Sequence, residues 1–363
     1  MSARRTARAD RATGRRRPWR GLITAMPPMA LAAVLAFTCD RWVATTSLPP
    51  LEVETSVEVL ARDGRLLRAF TVADGRWRLG VAPERVDPDY LDLLLAFEDK
   101  RFYRHAGVDP LALARAALQS LLHGRVASGG STLTMQVARL LEEGSTGSVS
   151  GKVRQIRVAL ALERVLGKQE ILALYLHLAP MGGNLEGVRA GSLSWFGKEP
   201  ARLTEAEAAL LVALPQAPSA RTPDTHPAAA LTARSRVLER GVAAGVVTEE
   251  AAQAASRELL PAARRPFPAL APHLADRLRA ADPGARLHRT TIDADVQAAM
   301  EALAVDALLD LPPQATVALL VADPDSGEVL ASVGSAVYTS DERDGYVDMT
   351  QALRSPGSTL KPL

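Results

Sequence analysis

Between Asp87 and Pro215 the apolar residues recur at helical rather than strand spacing, and this pattern commits the middle of the chain to helices. Leu91, Leu94, Leu95 and Glu98 fall on or near one face, and Leu111, Leu113, Ala117 and Leu121 continue at similar spacing. Residues 152–178 form the longest helix-rich run, broken near Gly167. Thr204 with Glu207 is a capping-box signature, which opens a helix ending near Pro215. Proline and threonine mark a loop between Ser219 and Pro227, and helices resume from Ala228 to Glu258. Five prolines in residues 259–286 read as a connector. Strand patterns flank this helical body. Residues 56–72 alternate around Asp63-Gly64, a hairpin signal. From Leu287 the pattern gives a strand, a helix over Ala294–Leu309, and a hairpin whose arms Thr316–Ala322 and Glu328–Val333 flank residues 323–327. No internal repeat is present.

The N-terminus restricts where such a chain can work. Eight arginines crowd residues 1–20 against one acid, Asp10, and an uncharged stretch from Gly21 to Cys39 follows. Its apolar part is at the short end of what spans a bilayer. A cation cluster ahead of such a run stays cytosolic, so the rest of the chain would lie outside. An uncleaved anchor is the expectation. A cleaved signal peptide is the alternative, although Phe37-Thr38-Cys39-Asp40-Arg41 makes a poor cleavage site. Cys39 is the only cysteine, so an intrachain disulfide and a thiolate metal cluster are both excluded. A net charge of +2 offers no case for a nucleic-acid partner, and 47% apolar residues suffice for a sizeable core.

Two segments carry chemistry. In Glu98-Asp99-Lys100-Arg101-Phe102-Tyr103-Arg104-His105-Ala106-Gly107, an acidic pair ends an apolar helix. A carboxylate at an apolar wall has its pKa raised, which suits general acid/base work. A solvated helix end with a packed structural histidine is the plainer alternative. In Gly129-Gly130-Ser131-Thr132-Leu133-Thr134-Met135-Gln136, glycines and small hydroxyls precede a helix and offer N–H and O–H donors to an anion such as pyrophosphate. An ordinary capped loop is the alternative, and no lysine completes a P-loop.

In this order and spacing the segments resemble the family 51 glycosyltransferases of class A penicillin-binding proteins. The E-D-x-x-F-x-x-H-x-G motif is matched at Glu98, Asp99, Phe102, His105 and Gly107, and G-x-S-T-x-x-x-Q at Gly129, Ser131, Thr132 and Gln136, with Gly130 in the variable place. A third motif falls on Lys152–Glu163, a fourth runs from Tyr175 through Gly182-Gly183-Asn184 to Lys198, and a fifth from Glu207 to Ser219. The phrases STLTMQVARLL, APMGG and LPQAPS, with the final SPGSTLKP, are similar to the 1C type. The resemblance implies a mainly α fold: a lysozyme-like helical glycosyltransferase domain after one N-terminal transmembrane helix, followed by an incomplete α/β start of a transpeptidase domain. The expected segments are a basic tail (1–21), the anchor (22–39), a linker with a hairpin (40–80), the glycosyltransferase domain (81–265), a connector (266–286) and the transpeptidase start (287–363). It further implies polymerisation of lipid II into a growing glycan chain, at the outer face of a bacterial inner membrane and beside other cell-wall synthesis proteins.

The resemblance makes Glu98 the general base for the attacking sugar hydroxyl. The leaving pyrophosphate would meet Ser131, Thr132, Gln136, Lys152 and Arg157, with Asp99, Phe102, His105, Gly130, Gln155 and Asn184 completing the substrate site. Residues 152, 154 and 157 do not share one helix face, so at most two of these cations should point inward. Gln155 stands where the family usually carries a second glutamate. An amide cannot hold a divalent cation by charge, so a Mg or Mn ion at the pyrophosphate is left open and no metal ligand is assigned. His177 stands where an asparagine is usual, and serves either as a donor or as helix lining. Leu111–Leu122 is expected either to dip into the outer leaflet or to be ordinary core. Ser358 and Lys361 form an S-x-x-K motif, the nucleophile and base of a penicillin-binding transpeptidase. The S-x-N and K-T-G partners of that motif do not follow in the sequence, so acylation by penicillin is expected to be absent. Two other readings compete: a non-catalytic membrane remnant that binds lipid II, and a glycan-cleaving lytic enzyme.

Overall fold

The computed structural model describes residues 28–123, 130–142, 148–339, 343–353 and 355. Ser358 and Lys361 fall outside them. Helix α1, Pro28–Ala44, begins on a proline, which the first turn tolerates because its N–H would have no helical partner there. It runs past Cys39 through Asp40 and Arg41, so it overlaps the expected 22–39 span only in part, and residues 22–27 are not among those described. Among the described residues no helix is long and apolar enough to cross a membrane. The described residues up to Thr45 belong to one compact unit and those from Thr46 onward to a second.

The second unit opens with the expected hairpin. Strands β1 (Glu58–Leu60) and β2 (Leu66–Ala69) pair antiparallel around Gly64, whose φ of 86° suits a residue without a Cβ. Strand β3 (Trp77–Arg78) precedes the helices α2 (Pro88–Glu98), α3 (Pro110–His123), α4 (Leu133–Leu141), α5 (Val149–Val165) and α6 (Lys168–Leu178). Strand β4 (Leu185–Glu186) pairs parallel with β3, and the Arg78 Nε donates to Glu186 at 2.7 Å across the pair. Helices α7 (Val188–Phe196), α8 (Glu205–Ala213), α9 (Pro227–Ala244) and α10 (Glu249–Arg257) complete the helical body.

Helix α8 explains how that body is arranged. Ala206, Ala208, Ala209, Leu210, Leu211, Val212 and Ala213 are all buried, and after a first turn that carries Glu205 and Glu207 the helix is apolar all round and has to be central. It packs on α2 and α9, while α4 packs on α5 and α6. The shared core includes Leu93, Leu94, Leu133, Met135, Leu162, Ile171, Tyr175 and Trp195. The Thr204–Glu207 capping box is present, with the Thr204 N–H donating to Glu207 at 2.8 Å.

The expected connector is not wholly irregular. Helix α11, Pro272–Ala281, lies inside it, because a proline at the first helical position starts a helix rather than breaking it. Strand β5 (Leu287–Arg289) then pairs parallel with β1, so residues on either side of the expected boundary share one sheet. Helix α12 (Ala294–Asp306) follows, and β6 (Leu319–Ala322) pairs antiparallel with β7 (Val329–Val333). Of the leucines expected either in core or in a leaflet, Leu111 and Leu118 on α3 are exposed, which removes both from the core.

Gly107 lies where two parts of the body meet. Its φ is 88°, and a Cβ there would sit 2.6 Å from the Ala159 carbonyl oxygen on α5. Gly245, after α9, has a φ of 75° but open space around it. Gly245→Ala should therefore cost about 1 kcal/mol for backbone strain alone. Gly107→Ala adds a backbone clash worth about 1–3 kcal/mol. Urea unfolding of the two variants should rank them in that order, and equal losses would mean that α5 yields.

Candidate active site

Glu98 and Asp99 are neighbours with different surroundings. Helix α2 ends between them: the Asp99 N–H still donates to Leu95 O at 2.9 Å, but its backbone turns away at φ −157°, ψ 75°. The two carboxylates consequently diverge. Asp99 is buried, and the His105 Nε2 lies 2.9 and 3.0 Å from its oxygens. An ionised carboxylate only accepts, so that nitrogen carries the proton. The same carboxylate accepts the Leu133 N–H at 2.9 Å, at the first turn of α4, where a negative charge complements the helix dipole. Thr132 caps α4 by accepting the Met135 N–H at 3.1 Å, and its hydroxyl donates to the Gly107 carbonyl at 2.5 Å. The two sequence motifs are thus fastened to each other through Asp99 and Thr132.

Glu98 is left to face a cavity of about 630 Å³, lined also by Asp99, Arg101, Arg115, Ser131, Thr132 and Arg240. Its Oε2 accepts the Gln136 amide at 2.7 Å and its Oε1 the Gln216 amide at 2.8 Å. Burial pushes the Glu98 carboxyl above its ordinary range, while the amides of Gln216 and Gln136 and the charges of Arg240 and Arg139 pull it back. The result is a base that is more avid for a proton than a solvated glutamate, yet is held by two donors when ionised. The Lys152 ammonium donates to the Ser131 hydroxyl, so it reaches the cavity through that side chain. Burial and the Arg139 charge push Lys152 below its ordinary range.

The remaining candidates are spread more widely. Phe102 is buried, with the Lys168 ammonium 4.5 Å from its ring centroid. Gly130 is buried against α3, where a Cβ would meet Ala116 and Leu113. Gln155 is buried on α5. The Arg157 Nε donates to the Thr46 hydroxyl at 2.9 Å, and Arg154 is exposed and bonded to Glu142. Lys152 is therefore the cation of this helix that meets the Ser131 side of the cavity. Asn184 donates to the Gly75 carbonyl at 3.1 Å and lines a different cavity, of about 500 Å³, beside Trp77 and Phe267. The His177 Nε2 lies against the Val81 backbone, 3.0 Å from its nitrogen and 2.9 Å from its oxygen.

Sequence reasoning missed three neighbours of Glu98. Gln216 sits inside the quoted LPQAPS phrase, and Arg139 follows Gln136 by one helical turn, so both were within reach. Arg240 lies on α9 beyond the motifs. It donates to the Phe97 carbonyl at 3.2 Å and stacks 4.6 Å from that ring, contacts that no local pattern announces.

The family model described as Transglycosylase matches residues 63–242. These residues belong to the transglycosylase family. The match begins in the β1–β2 turn and ends within α9, so the transglycosylase domain includes Glu98 and each of its neighbours named above. Penicillin-binding protein 1C of Escherichia coli (strain K12) is 46% identical over 315 residues, which are 87% of this chain and 41% of that protein. Penicillin-binding protein 1A of Vibrio cholerae is 34% identical over 212 residues, 58% of this chain and 25% of that protein. The chain spans less than half the length of these relatives. A crystal structure of penicillin-binding protein 1A from Haemophilus influenzae aligns with 78% of this chain and 38% of its own, at 18% identity and a TM-score of 0.33.

Because the fold raises the affinity of Glu98 for a proton, its charge costs stability once the pH exceeds the unfolded glutamate range, near 4.3. Below that range both states bind the proton and the cost vanishes. The stability of the Glu98→Gln transglycosylase domain relative to the parent should therefore rise with pH and level off above the folded-state titration. Chemical unfolding at several pH values measures it. A flat difference would contradict the burial argument.

Proposed function

We propose that the chain is a peptidoglycan glycosyltransferase that polymerises lipid II into glycan strands and releases polyprenyl pyrophosphate. The single observation that carries this reading is the Glu98 carboxylate, held by two amides in a cavity whose other wall bears Ser131, Thr132 and, behind Ser131, Lys152.

The acceptor is lipid II, whose sugar 4-hydroxyl is too weak an acid to ionise at neutral pH. Glu98 takes its proton as the oxygen bonds to the anomeric carbon of the growing chain, with inversion. The bond to pyrophosphate breaks at the same centre, and the developing negative charge is met by Ser131, Lys152 and Arg139, the Thr132 hydroxyl being committed to the Gly107 carbonyl. The donors of Gln136 and Gln216 hold the base ionised and aimed before the transfer. Asp99, His105 and Phe102 support this site from inside the protein. The described residues do not fit a divalent cation. Gln155 is neutral, and Glu163 is already engaged by Thr134 at 2.7 Å and Lys168 at 2.6 Å. No step is routed through a metal.

The wider reading follows the sequence. The arginine block and the apolar stretch after it support a single-pass anchor in the inner membrane, with the catalytic domain outside and other cell-wall synthesis proteins as its partners. The resemblance to the 1C type supports residues from 287 onward as the start of a penicillin-binding transpeptidase domain, with Ser358 and Lys361 as its nucleophile and base.

Detergent-solubilised protein given labelled lipid II should produce glycan strands. Glu98→Gln should lower kcat by about 10²–10⁴-fold, the usual worth of a general base. Lys152→Ala should cost about 10²-fold in kcat/KM, whereas Arg154→Ala should change it by less than about threefold. Polymerisation that is indifferent to Glu98→Gln would sink the mechanism. Binding of lipid II without turnover by the parent would favour a non-catalytic remnant.

A further inference from the structure

A glutamine has two chemically opposite ends of nearly the same shape. If its NH₂ end faces a carboxyl group, it favours the ionised form; if its C=O end does, it favours the protonated acid. Nothing within Gln216 selects between them. Its surroundings do. The Arg221 Nη1 lies 3.2 Å from the Gln216 Oε1, while the Gln216 Nε2 lies 2.8 Å from the Glu98 Oε1. A guanidinium only donates, so it draws the carbonyl end to itself and turns the NH₂ end toward Glu98.

Arg221 is itself held. The same Nη1 donates to the Ala213 carbonyl at 2.8 Å, at the last residue of α8, where a cation complements the helix dipole. Ala213 is itself buried at the end of α8, so this anchor point belongs to the core. The row Ala213–Arg221–Gln216–Glu98 then transmits the position of a core helix to the carboxylate. We infer that Arg221 is a positioning residue of the transfer site, which fixes the Gln216 amide so that it donates to Glu98. The inference rests on the reading of Glu98 as the base.

Other groups also face Glu98 and define the background. Arg139 and Gln136 come from α4, Arg240 from α9, Tyr90 from α2 and Tyr175 from α6. Burial pushes both tyrosines upward, so they stay neutral across the working range. The Arg221 charge also reaches Glu98 directly, and the test has to separate that field from the amide.

The experiment is a titration of the Glu98 carboxyl by NMR in protein labelled with ¹³C at glutamate carboxyls, with its signal identified by its loss in Glu98→Gln. Five chains are compared: parent, Arg221→Met, Arg221→Lys, Gln216→Leu, and Arg221→Met combined with Gln216→Leu. Thermal unfolding checks that each is folded. Arg221→Met should move the titration to higher pH by an amount comparable to Gln216→Leu, because either change removes the oriented donor. Arg221→Lys, which keeps a cationic donor, should recover much of the shift. In the Gln216→Leu background Arg221→Met should add little. A titration unmoved by Arg221→Met would overturn the inference. A shift of the same size in the Gln216→Leu background would overturn it too, since Arg221 would then act by its field alone. Neither outcome bears on whether Glu98 is the base, which the turnover of Glu98→Gln decides separately.

Discussion

Most of the site hangs on the buried Asp99 carboxylate. It accepts from His105 and from the first N–H of α4, and it therefore fixes the loop after α2 relative to the helix that carries Gln136 and Arg139. The Thr132–Gly107 hydrogen bond closes the same junction from the other side, and Gly107 lets α5 approach to a distance no Cβ would allow. A charge desolvated this deeply is tolerable only because each of its contacts is a donor. With Asp99 committed to architecture, Glu98 is free to face the cavity.

The second constraint comes from α8. Its buried run from Ala208 to Ala213 places it at the centre of the body, and the chain leaving it emerges beside α2. That is how Gln216, more than a hundred residues from Glu98 in sequence, becomes its hydrogen-bond partner. One amide thus comes from α4 and the other from the short turn, Leu214–Gln216, that follows α8 in the same core. A carboxylate gripped in this way keeps its orientation while its proton affinity is raised.

Much of this was legible in the sequence. Capping signals and apolar spacing located α2, α4, α5 and α8, and Asp63-Gly64 located the first hairpin. Glu98 bonds Gln136 and shares its cavity with Ser131 and Thr132, and Lys152 bonds Ser131. Other features depend on contacts that no window of residues contains. Prolines made residues 259–286 look irregular, yet Pro272 starts α11. The strand at Leu287 was readable, but its partner β1 was not, because parallel pairing over such a separation leaves no local trace. Arg240 reaches the cavity through its packing on Phe97. Asn184, grouped with the site by motif, lies in another cavity because β4 pairs with β3 and carries the preceding turn with it.

The central claim is that Glu98 does its work as an ionised base whose proton affinity the fold has raised. The pH dependence of kcat/KM for lipid II polymerisation by the parent protein tests it most directly. The account predicts an acid limb, with activity rising as pH rises, centred above the range of an ordinary glutamate. A limb at the ordinary position, or none, would contradict it.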